Sequence, residues 1–401
     1  MKILIYHKVL SPLLGGGTFQ PLTFIANLQR HGEVTVALNA GADMEQVSKT
    51  AGVPIDAAAL KVVRLDKEAG FASKHEWLAA LLRMRKLKAL AKDADICIST
   101  ANVMDFGKPA HHFVYLLSQF GGAAFYDYLM GRGGGFGPRR VLRRIGTAFY
   151  ENIVKPIFGV RPLKKIVADP HEHVYPTSRY VEGILQGYFG RFNSTVFYPP
   201  TVFEFEAKNV PRDPMLAIYV GRIFPPKKIT DIIATVEKAR ALSGKDIKLH
   251  IAGVLPPIPY TDLLKRLATE RPWLKLVGPV YGKDKETFML SATYALHAER
   301  DEAFGIAIAE YLKSGCIPVV PNVGGPREIV DDRTLEFSTV DEAAAILSRL
   351  IGDDAFREDR RLHCAERAAH FSRAAYEERQ RTVIERILGQ SKHPFSSVPL
   401  R

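Results

Sequence analysis

The sequence predicts an α/β protein built from two doubly wound domains. Short runs of β-branched and other apolar residues recur along the chain and alternate with longer amphipathic segments, which is the pattern of parallel β-α-β units. Two sets of such runs occur, and a chain of 401 residues exceeds what a single hydrophobic core usually organises. We therefore expect two Rossmann-like domains, each with a parallel sheet covered by helices.

The strand candidates follow one another in two groups. The first group comprises KILIY, EVTVAL, DICIST, HFVYLL, KIVA and STVFY, and the second comprises LAIYVG, KLHIAG, LKLVG, TYALHA and CIPVVP. Pro199 and Pro200 stop the last run of the first group and stiffen the connection that follows. The expected domains are residues 1–198 and 199–372, with a terminal helix and a polar tail in 373–401.

Composition narrows the classes of partner and the cellular compartment. The formal charge of +12 favours an acidic partner, namely phosphates, an anionic membrane surface or nucleic acid. The odd number of cysteines and their wide spacing argue against a disulfide framework. No apolar run approaches the roughly 20 residues of a membrane span, and the first residues lack the pattern of a signal peptide. We therefore expect a cytoplasmic protein.

The segment from about 120 to 165 interrupts the alternation of strands and helices. Between positions 132 and 165 it carries nine Lys or Arg against the single acid Glu151. A helix here would have an apolar stripe flanked by arginines, which suits an anionic bilayer or a phosphate-bearing lipid. A helix that packs on its own domain with a solvated basic face is the alternative, and the sequence leaves both open. The stripe residues are Val141, Ile145, Phe149 and Ile153.

The stretch HAERDEAFGIAIAEYLKSG reads as the end of a strand, a turn and a helix. This order places the backbone amides of Phe304, Gly305 and Ile306 at a helix N-terminus, on the sheet edge where ligands bind. Glu302 lies in the turn, whereas Glu310 lies inside an apolar helix, where a carboxylate without a partner is costly. Sugar hydroxyls could serve as donors to it. The alternative is that Glu302 only favours the helix dipole and Glu310 faces solvent; the pair with this turn favours a ligand site.

A second stretch, VGRIFPPKK, points to a phosphate ligand. Gly221 and Arg222 follow a predicted strand directly, and Lys227 and Lys228 follow two prolines. Arg222 and one lysine could converge on a diphosphate held beside this rigid turn. Taken singly, such a loop is commonly a solvated basic turn.

These stretches resemble the retaining GT-B glycosyltransferases of the GT4 family. The resemblance covers most of the chain and is strongest from about 170 to 335. It rests on VGRIFPPKK, GPV, the E-x7-E stretch from Glu302 to Glu310 and PVVPNVGGPREIV, and also on GGGTFQPLTFIANLQRHGEVTVAL near the N-terminus. It implies two Rossmann-like domains that face each other across a cleft, the first binding the acceptor and the second the nucleotide sugar.

The resemblance also implies roles for individual residues. Glu302 would contact the donor sugar, and Glu310 would hold the ribose hydroxyls. Arg222 and Lys227 would bind the diphosphate, with Lys228 as an alternative to Lys227. The other implied donor-binding residues are Gly15, Gly16, Gly17, Gly221, Val280, Phe304, Gly305 and Ile306.

The acceptor side matches the family less closely. Many members carry a histidine just after a strand of the first domain, whereas His111 and His112 begin the corresponding run here, so either could be structural. The basic segment adds four candidate acceptor contacts, and charge reversal there should weaken binding to anionic vesicles. These four residues are Arg139, Arg140, Arg143 and Arg144.

The expected function is metal-independent transfer of a hexosyl group, with retention, to a glycan or lipid-linked acceptor of cell-surface polysaccharide or glycolipid synthesis. The donor would be a GDP- or UDP-linked sugar, with mannose suggested by similarity of the E-x7-E stretch to mannosyltransferases; no other cofactor, metal or nucleic-acid partner is expected. The enzyme would work in the cytoplasm, at the membrane face if the basic segment docks there. A nucleotide-sugar epimerase of the same fold is one alternative. A non-catalytic nucleic-acid-binding protein is another, which would explain the charge but not the E-x7-E stretch.

Overall fold

The computed structural model describes residues 1–10, 16–66, 76–114, 138–201, 203–207 and 210–392. The chain divides into two compact units: unit 1 contains Met1–Pro200 and Glu377–Arg401, and unit 2 contains Thr201–Tyr376. Each unit has a six-stranded sheet in which all described strand pairs are parallel. The predicted α/β fold with two doubly wound domains is therefore confirmed.

The sheet of unit 1 has the order β3-β2-β1-β4-β5-β6. Its middle strands are buried on both faces, as expected for a sheet covered by helices on both sides. The strands are β1 Lys2–His7, β2 Glu33–Leu38, β3 Lys61–Arg64, β4 Ile96–Ser99, β5 His111–Val114 and β6 His173–Pro176.

Two of the strands predicted for this unit are wrong. The run KIVA belongs to a short helix that starts after Pro162, with Lys164 and Lys165 exposed and the two apolar residues after them buried. The run STVFY is extended beside β6 but is not a strand of the sheet: it forms an isolated bridge between Val174 and Ser194, and the amides of Thr195 and Phe197 donate to β6 carbonyls at 3.1 and 2.8 Å. A run of three apolar residues such as the one in KIVA fits a helix turn and a strand equally well, because both periods bury about half of so short a run.

The helices of unit 1 are interspersed with its strands along the chain. Ser178 caps one of them by accepting a hydrogen bond from the amide of Val181 at 3.0 Å. They are α1 Gly16–Leu28, α2 Met44–Ala51, α3 Glu76–Ala91, α4 Pro138–Phe149, a π-helical turn Tyr150–Val154, α5 Lys155–Ile157, α6 Leu163–Val167 and α7 Arg179–Phe189.

A buried ionic network ties the end of the basic segment to the sheet of unit 1. The Arg161 guanidinium donates to Asp105 at 2.8 Å and to Glu172 at 2.7 Å, and both carboxylates are fully buried. Lys88 donates to Asp105 at 3.2 Å, and His112 bonds Glu172 at 2.9 Å. The part of the segment around Arg161 is thus built into the domain.

The last helix of the chain returns to unit 1. It spans Arg373–Lys392, and its residues from Glu377 onward belong to that unit. The buried Gln380 amide donates to the Thr23 hydroxyl at 2.8 Å and accepts from Asn27 at 3.0 Å.

The sheet of unit 2 has the order β12-β11-β10-β7-β8-β9. All five strands predicted for this half of the chain are confirmed, and a two-residue strand at the edge completes the sheet. The strands are β7 Asp213–Val220, β8 Lys248–Ala252, β9 Leu274–Gly278, β10 Ala292–Leu296, β11 Ile317–Pro321 and β12 Glu336–Phe337.

The helices of unit 2 follow its strands in regular alternation. They are the 3-10 turn Pro225–Lys227, α8 Ile229–Ser243, α9 Pro259–Glu270, α10 Gly282–Leu290, α11 Ile306–Lys313, α12 Gly325–Val330, the 3-10 turn Arg333–Leu335, α13 Val340–Gly352 and α14 Asp354–Ala369. The Arg373–Lys392 helix, which passes back to unit 1, is α15.

The strand order of unit 2 reverses between β7 and β10. From β7 the chain builds outward to β8 and β9, and from β10 it builds in the other direction to β11 and β12. Open α/β sheets bind ligands at such a switch point, outside the carboxyl ends of the two strands. The loops after Val220 and after Leu296 therefore mark the place to look for a site.

Two expectations from composition can be compared with the structure. Cys97, Cys316 and Cys364 are free and buried in the structure. Within the described ranges, no helix is long and apolar enough to cross a membrane.

Candidate active site at the switch point of unit 2

The loop after β7 carries the predicted phosphate-binding residues. Gly221 continues the strand pairing by donating its amide to Ala252 at 3.0 Å, and the Tyr219 hydroxyl donates to the Arg222 carbonyl at 3.1 Å. The prolines then form a 3-10 turn that ends at Lys227, and Lys228 is the N-cap residue of α8, with φ at 50°. The basic residues are therefore held on a short, hydrogen-bonded loop.

The loop after β10 is fixed by close backbone packing against α12. Gly305 is the N-cap residue of α11, with φ at 96°, which favours glycine. The Gly325 amide donates to the Glu302 carbonyl at 2.9 Å. A β-carbon at position 325 would lie 2.4 Å from Cα of Phe304, so only glycine fits there. The glycines of VGGP thereby hold the loop that carries Glu302.

These two loops meet through Lys227. Its ammonium group contacts the carboxylates of both Glu299 and Glu302. The three side chains are largely buried, with 14% to 22% of each exposed. His297 lies beside them, with Nε2 3.9 Å from the Glu302 carboxylate. The structure thus brings together the lysine and the first glutamate that the sequence motifs predicted, and it adds a second carboxylate.

The charges of this cluster are unequally stabilised. Burial by itself lowers the pKa of Lys227, but Glu302 and Glu299 outweigh it, so the pKa lies above the ordinary value of a lysine. Burial raises the pKa of Glu299, and the Glu302 charge adds to the effect. For Glu302, burial is outweighed chiefly by the charge of Lys227, so the pKa of that carboxyl is lowered. Of the two acids, Glu299 is therefore the one that takes up a proton first.

His297 is neutral in this environment. Burial lowers the pKa of His297 to about 4, although Glu302 opposes the shift. Among the described residues, no hydrogen-bond partner reaches its Nε2 atom. A buried polar atom without a partner is costly, and this one lies on the side of Glu302, where a ligand hydroxyl could meet it.

Glu310 is buried rather than solvent-facing, so the alternative that it faces solvent is wrong. Only 5% of the residue is exposed, and its carboxylate forms an ion pair with Lys285 of α10 at 2.6 Å. The Lys285 ammonium also lies 4.6 Å from the centroid of the Phe203 ring. The carboxylate thus has a cationic partner, which offsets the cost of its burial.

Arg222 and Lys228 add positive charge that is not neutralised. Arg222 is exposed and Lys228 is half-buried. Neither forms an ion pair with another residue in the part of the chain that the structure describes. Three cations and two carboxylates therefore surround the switch point, which leaves a net positive charge when all are ionised.

The other predicted donor residues are distributed along both units. Val280 is half-buried and follows the end of β9. Phe304 is buried directly before α11. Gly15 lies outside the described residues, and Gly16 and Gly17 form the backbone of the first turn of α1. Their roles stay predictions.

The two histidines predicted for the acceptor differ in environment. His112 is fully buried, and its ring bonds Glu172, so it contacts no solvent in this structure. His111 is partly exposed; burial, with the charges of His173, His112 and Arg386, lowers its pKa to about 3. Both rings thus belong to unit 1 networks. Arg139, Arg140, Arg143 and Arg144 are residues of α4, but their side chains lie outside the described part of the chain.

Three side chains of the cluster have the types that bind metal ions. The ligand atoms of His297, Glu299 and Glu302 all lie within 4.8 Å of one another. The Lys227 ammonium contacts both carboxylates, however, and so places the protein's own cation between them. Metal independence stays a prediction that chelation can test.

Sequence reasoning missed Glu299 and Lys285. Glu299 follows a strand end and precedes a turn on the same loop as Glu302, a signal that could have been used. Lys285 lies 25 residues before Glu310 on another helix, and no spacing rule relates the two. Their partnership with the motif residues appears only when the helices are packed.

One family model matches the part of the chain that contains this site. The profile of the family described as glycosyl transferases group 1 matches residues 202–371, which include both loops. No curated protein matches the sequence at a significant level.

Solved structures share the whole fold at low sequence identity. HepE (Alr3699) of Anabaena, in complex with UDP and glucose, has a TM-score of 0.63 at 15% identity, covering 97% of this chain and all of its own. WaaG, a glycosyltransferase involved in lipopolysaccharide biosynthesis, has a TM-score of 0.64 at 13% identity, covering 96% of this chain and all of its own. The lipopolysaccharide outer core galactosyltransferase WaaB has a TM-score of 0.62 at 14% identity, covering 96% of this chain and 99% of its own. At such identities the likeness shows the fold, which is the GT-B fold.

Proposed function

We propose that this chain, whose residues 202–371 match the group 1 glycosyltransferases and which has the GT-B fold, transfers a hexosyl residue from a nucleoside diphosphate sugar to a glycan or lipid-linked acceptor, with retention of configuration. The observation that carries the proposal is the position of Lys227 at the switch point, in contact with Glu302. Arg222 and Lys228 supply further positive charge on the same short loop. Such a set of fixed cations suits a diphosphate.

In the proposed reaction, the bond between the anomeric carbon and the diphosphate oxygen breaks. The anomeric carbon forms a new bond to an acceptor hydroxyl oxygen on the same face, and the hydroxyl proton passes to the leaving diphosphate. Negative charge grows on the diphosphate as the sugar becomes oxocarbenium-like. Lys227, Arg222 and the N-terminus of α11 around Gly305 stabilise that charge by preorganised electrostatics.

The two carboxylates take different parts in this proposal. Glu302 accepts hydroxyl hydrogens of the donor sugar, with His297 beside it. Glu299 holds the Lys227 ammonium in place before the donor arrives. Because burial raises the pKa of Glu299, it takes up a proton more readily than Glu302 when the diphosphate brings further negative charge.

The nucleoside is assigned to Glu310 and its neighbour. The Glu310 carboxylate accepts two ribose hydroxyls, and Lys285 keeps it ionised and oriented through their ion pair. HepE, whose structure contains UDP and glucose, supports testing UDP-linked hexoses first. GDP-linked sugars, including GDP-mannose, are the donors to test second.

The acceptor is assigned to unit 1. The resemblance to structures such as WaaG, which is involved in lipopolysaccharide biosynthesis, supports a glycan or a lipid-linked acceptor. In this proposal an enzyme of cell-surface glycan synthesis works at the cytoplasmic face of a membrane, where a lipid-linked acceptor is presented.

The test is the thermal stability of the purified chain with UDP, GDP, dTDP and their hexose conjugates, in the wild type, Glu310→Ala and Lys285→Met. We expect one nucleotide series to raise the melting temperature. Glu310→Ala should abolish the shift, because the ribose hydroxyls lose their acceptor. Lys285→Met should reduce it.

Asp332→Ala is the matched control. Asp332 is also a buried carboxylate of unit 2 with a basic partner, Arg360. Its loss should lower the melting temperature of the free protein but leave the nucleotide-induced shift unchanged. If no nucleotide shifts the wild type, or if Glu310→Ala retains the full shift, the donor assignment is wrong. Conversion of the sugar without any acceptor would instead favour an epimerase.

A further inference from the structure

An exposed apolar ridge runs along the helical segment 138–157, which comprises α4, the π-helical turn and α5. Five large apolar side chains occur on it at spacings of three or four residues, and 48% to 76% of each is exposed. Residues at these spacings share one face of a helix. Exposed apolar side chains that lie together in this way indicate an interaction site, whereas single exposed apolar residues are common on soluble proteins. The ridge consists of Leu142, Ile145, Phe149, Ile153 and Ile157.

The ridge ends at a basic cavity in the same unit. The cavity has a volume of about 530 Å³, and Ile157, the last and most exposed ridge residue, lies in its wall. Its basic lining comes from two residues of α3, Arg85 and Lys88, and from Lys92 in the turn directly after that helix. The cavity is lined by Arg85, Lys88, Ala89, Lys92, Ile157, Phe158 and Gly159.

Two of the three cations in the cavity are available to a ligand. Lys88 is engaged, since its ammonium donates to the Gly159 carbonyl at 2.7 Å and to Asp105 at 3.2 Å. Arg85 and Lys92 are exposed, and neither pairs with an acid among the residues that the structure describes. Their charge is therefore free to attract an anion.

The ridge itself presents no free acid. Glu151, the one acidic residue of segment 138–157, forms an ion pair with Lys155 at 2.7 Å and accepts the Leu163 amide at 2.9 Å. Trp77 of α3 is half-exposed, and its carbonyl accepts from the Tyr150 hydroxyl at 3.3 Å. Exposed tryptophans are enriched at the interface between a membrane and water.

We propose that the apolar ridge and the basic cavity together dock unit 1 on an anionic phospholipid bilayer. The ridge enters the boundary between headgroups and acyl chains, and a lipid phosphate occupies the cavity beside Arg85 and Lys92. This arrangement matches the two chemical layers of the membrane surface. It rests on the proposed function only in assigning a lipid-linked acceptor to this unit. A second copy on the same face would bring like charges together across a two-fold axis.

The test is co-sedimentation of the full chain, without nucleotide, with vesicles of phosphatidylcholine alone or with about one third phosphatidylglycerol. The wild type should bind only the anionic vesicles. Arg85→Gln with Lys92→Gln should weaken binding about 25-fold, because each basic side chain contributes about fivefold near an anionic surface. Ile145→Ser with Phe149→Ser should weaken it at least about tenfold by removing inserted apolar groups.

Matched controls change equally exposed residues of unit 2. Leu242→Ser with Leu362→Ser removes two exposed apolar side chains, and Lys265→Gln with Arg266→Gln removes two exposed charges. Both pairs should bind vesicles as the wild type does. Equal loss in these controls would show general charge or surface attraction and overturn the proposal.

Further outcomes distinguish docking on a bilayer from dimerisation and from nucleotide binding at the donor site. Equal binding to neutral and anionic vesicles, or binding to neither, would overturn the proposal. So would a dimer, seen by sedimentation velocity, that the ridge variant converts to monomers. The nucleotide-induced thermal shift is measured on the same variants. Vesicle binding without any nucleotide shift would refute the donor site alone, and a nucleotide shift without vesicle binding would refute the docking surface alone.

Discussion

Replacing Lys227 by methionine tests the centre of the site most directly. The substitution preserves the length of the side chain but leaves Glu299 and Glu302 facing each other without a cation. Their oxygens lie within 4.8 Å of one another, so two negative charges at that distance repel by about 3.5 kcal/mol at an effective dielectric constant of 20 and by about 0.9 kcal/mol in water. Removing one partner of a buried pair costs about 3–5 kcal/mol in general. We expect a loss of about 3 kcal/mol in the free energy of unfolding of unit 2.

Glu299→Gln should rescue this loss in part. In the Lys227→Met background it removes the repulsion and should recover about 1–3.5 kcal/mol. In the wild-type background it removes one of two favourable contacts of Lys227 and should cost about 1 kcal/mol. In the double-mutant cycle, Glu299→Gln should therefore destabilise the wild type but stabilise the Lys227→Met variant.

The measurement is urea unfolding followed by tryptophan fluorescence. The chain has two tryptophans, Trp77 in unit 1 and Trp273 in unit 2. A Trp77→Phe background leaves Trp273 as the reporter of unit 2. Transfer activity is measured in parallel, and Lys227→Met should lower kcat/KM by about 10²–10³-fold because a cation facing the leaving group is lost. Glu299→Gln should restore stability to that variant but not activity.

The pH dependence provides an independent check. Without Lys227, the two carboxylates repel each other when both are ionised. The folded-state pKa of one of them therefore rises above its unfolded value of about 4.3. The loss in free energy of unfolding caused by Lys227→Met should therefore be small below about pH 4.3 and grow as the pH rises through the folded-state pKa. If Lys227→Met unfolds with the same free energy as its parent at pH 7.5, or if Glu299→Gln restores activity as well as stability, the assigned roles are wrong.

Three further predictions concern other parts of the chain. Gly325→Ala should destabilise unit 2 by about 1–3 kcal/mol in the same Trp273 assay, because the new β-carbon overlaps the Phe304 backbone; Gly352→Ala, where a β-carbon meets no atom within 4 Å, should not. EDTA should leave the transfer rate unchanged within about twofold, since fixed cations face the diphosphate, and a loss that Mg²⁺ restores would assign a metal to the carboxylate loop. Arg161→Met should destabilise unit 1 by about 3–5 kcal/mol at pH 7 in a urea titration followed by Trp77 fluorescence in a Trp273→Phe background. At Asp105 the effect of burial is outweighed by hydrogen bonds from Arg161, so the pKa of the Asp105 carboxyl is lowered. The wild type should therefore lose the stabilisation by Arg161 only as the pH falls below about 4 through that pKa. If Arg161→Met lowers the free energy of unfolding equally at pH 7 and at pH 2.5, the prediction is wrong.

The predictability of individual elements depended on how much local information each carried. LAIYVG and TYALHA are long enough for their apolar runs to identify buried parallel strands, and both are strands of the sheet. KIVA is too short to show a period, and its helix is set by Pro162 and by the burial of two residues on one side. STVFY has the composition of a strand, but only the neighbouring β6 decides how much of it pairs.

The candidate site was predictable in part for the same reason. The turn that follows each strand of a parallel sheet is a local feature, so VGRIFPPKK and the E-x7-E stretch could be assigned to the carboxyl edge from the sequence. The partner of Glu310 could not, because Lys285 reaches it from a helix on another part of the sheet. The partners that decide charge and pKa come from packing, which joins segments with no fixed spacing.

The sequence by itself thus determined the α/β class, the two doubly wound domains and the glycosyltransferase resemblance, because strand length, turn glycines and motif spacing are encoded over a few adjacent residues. Only the tertiary structure decided that Lys227 lies against two carboxylates, that Glu310 is buried against Lys285, and that the ridge from Leu142 to Ile157 is exposed rather than packed. Burial and ion pairing depend on which surfaces meet when the chain folds. A pattern along the chain specifies which face of a helix is apolar, but not what that face meets.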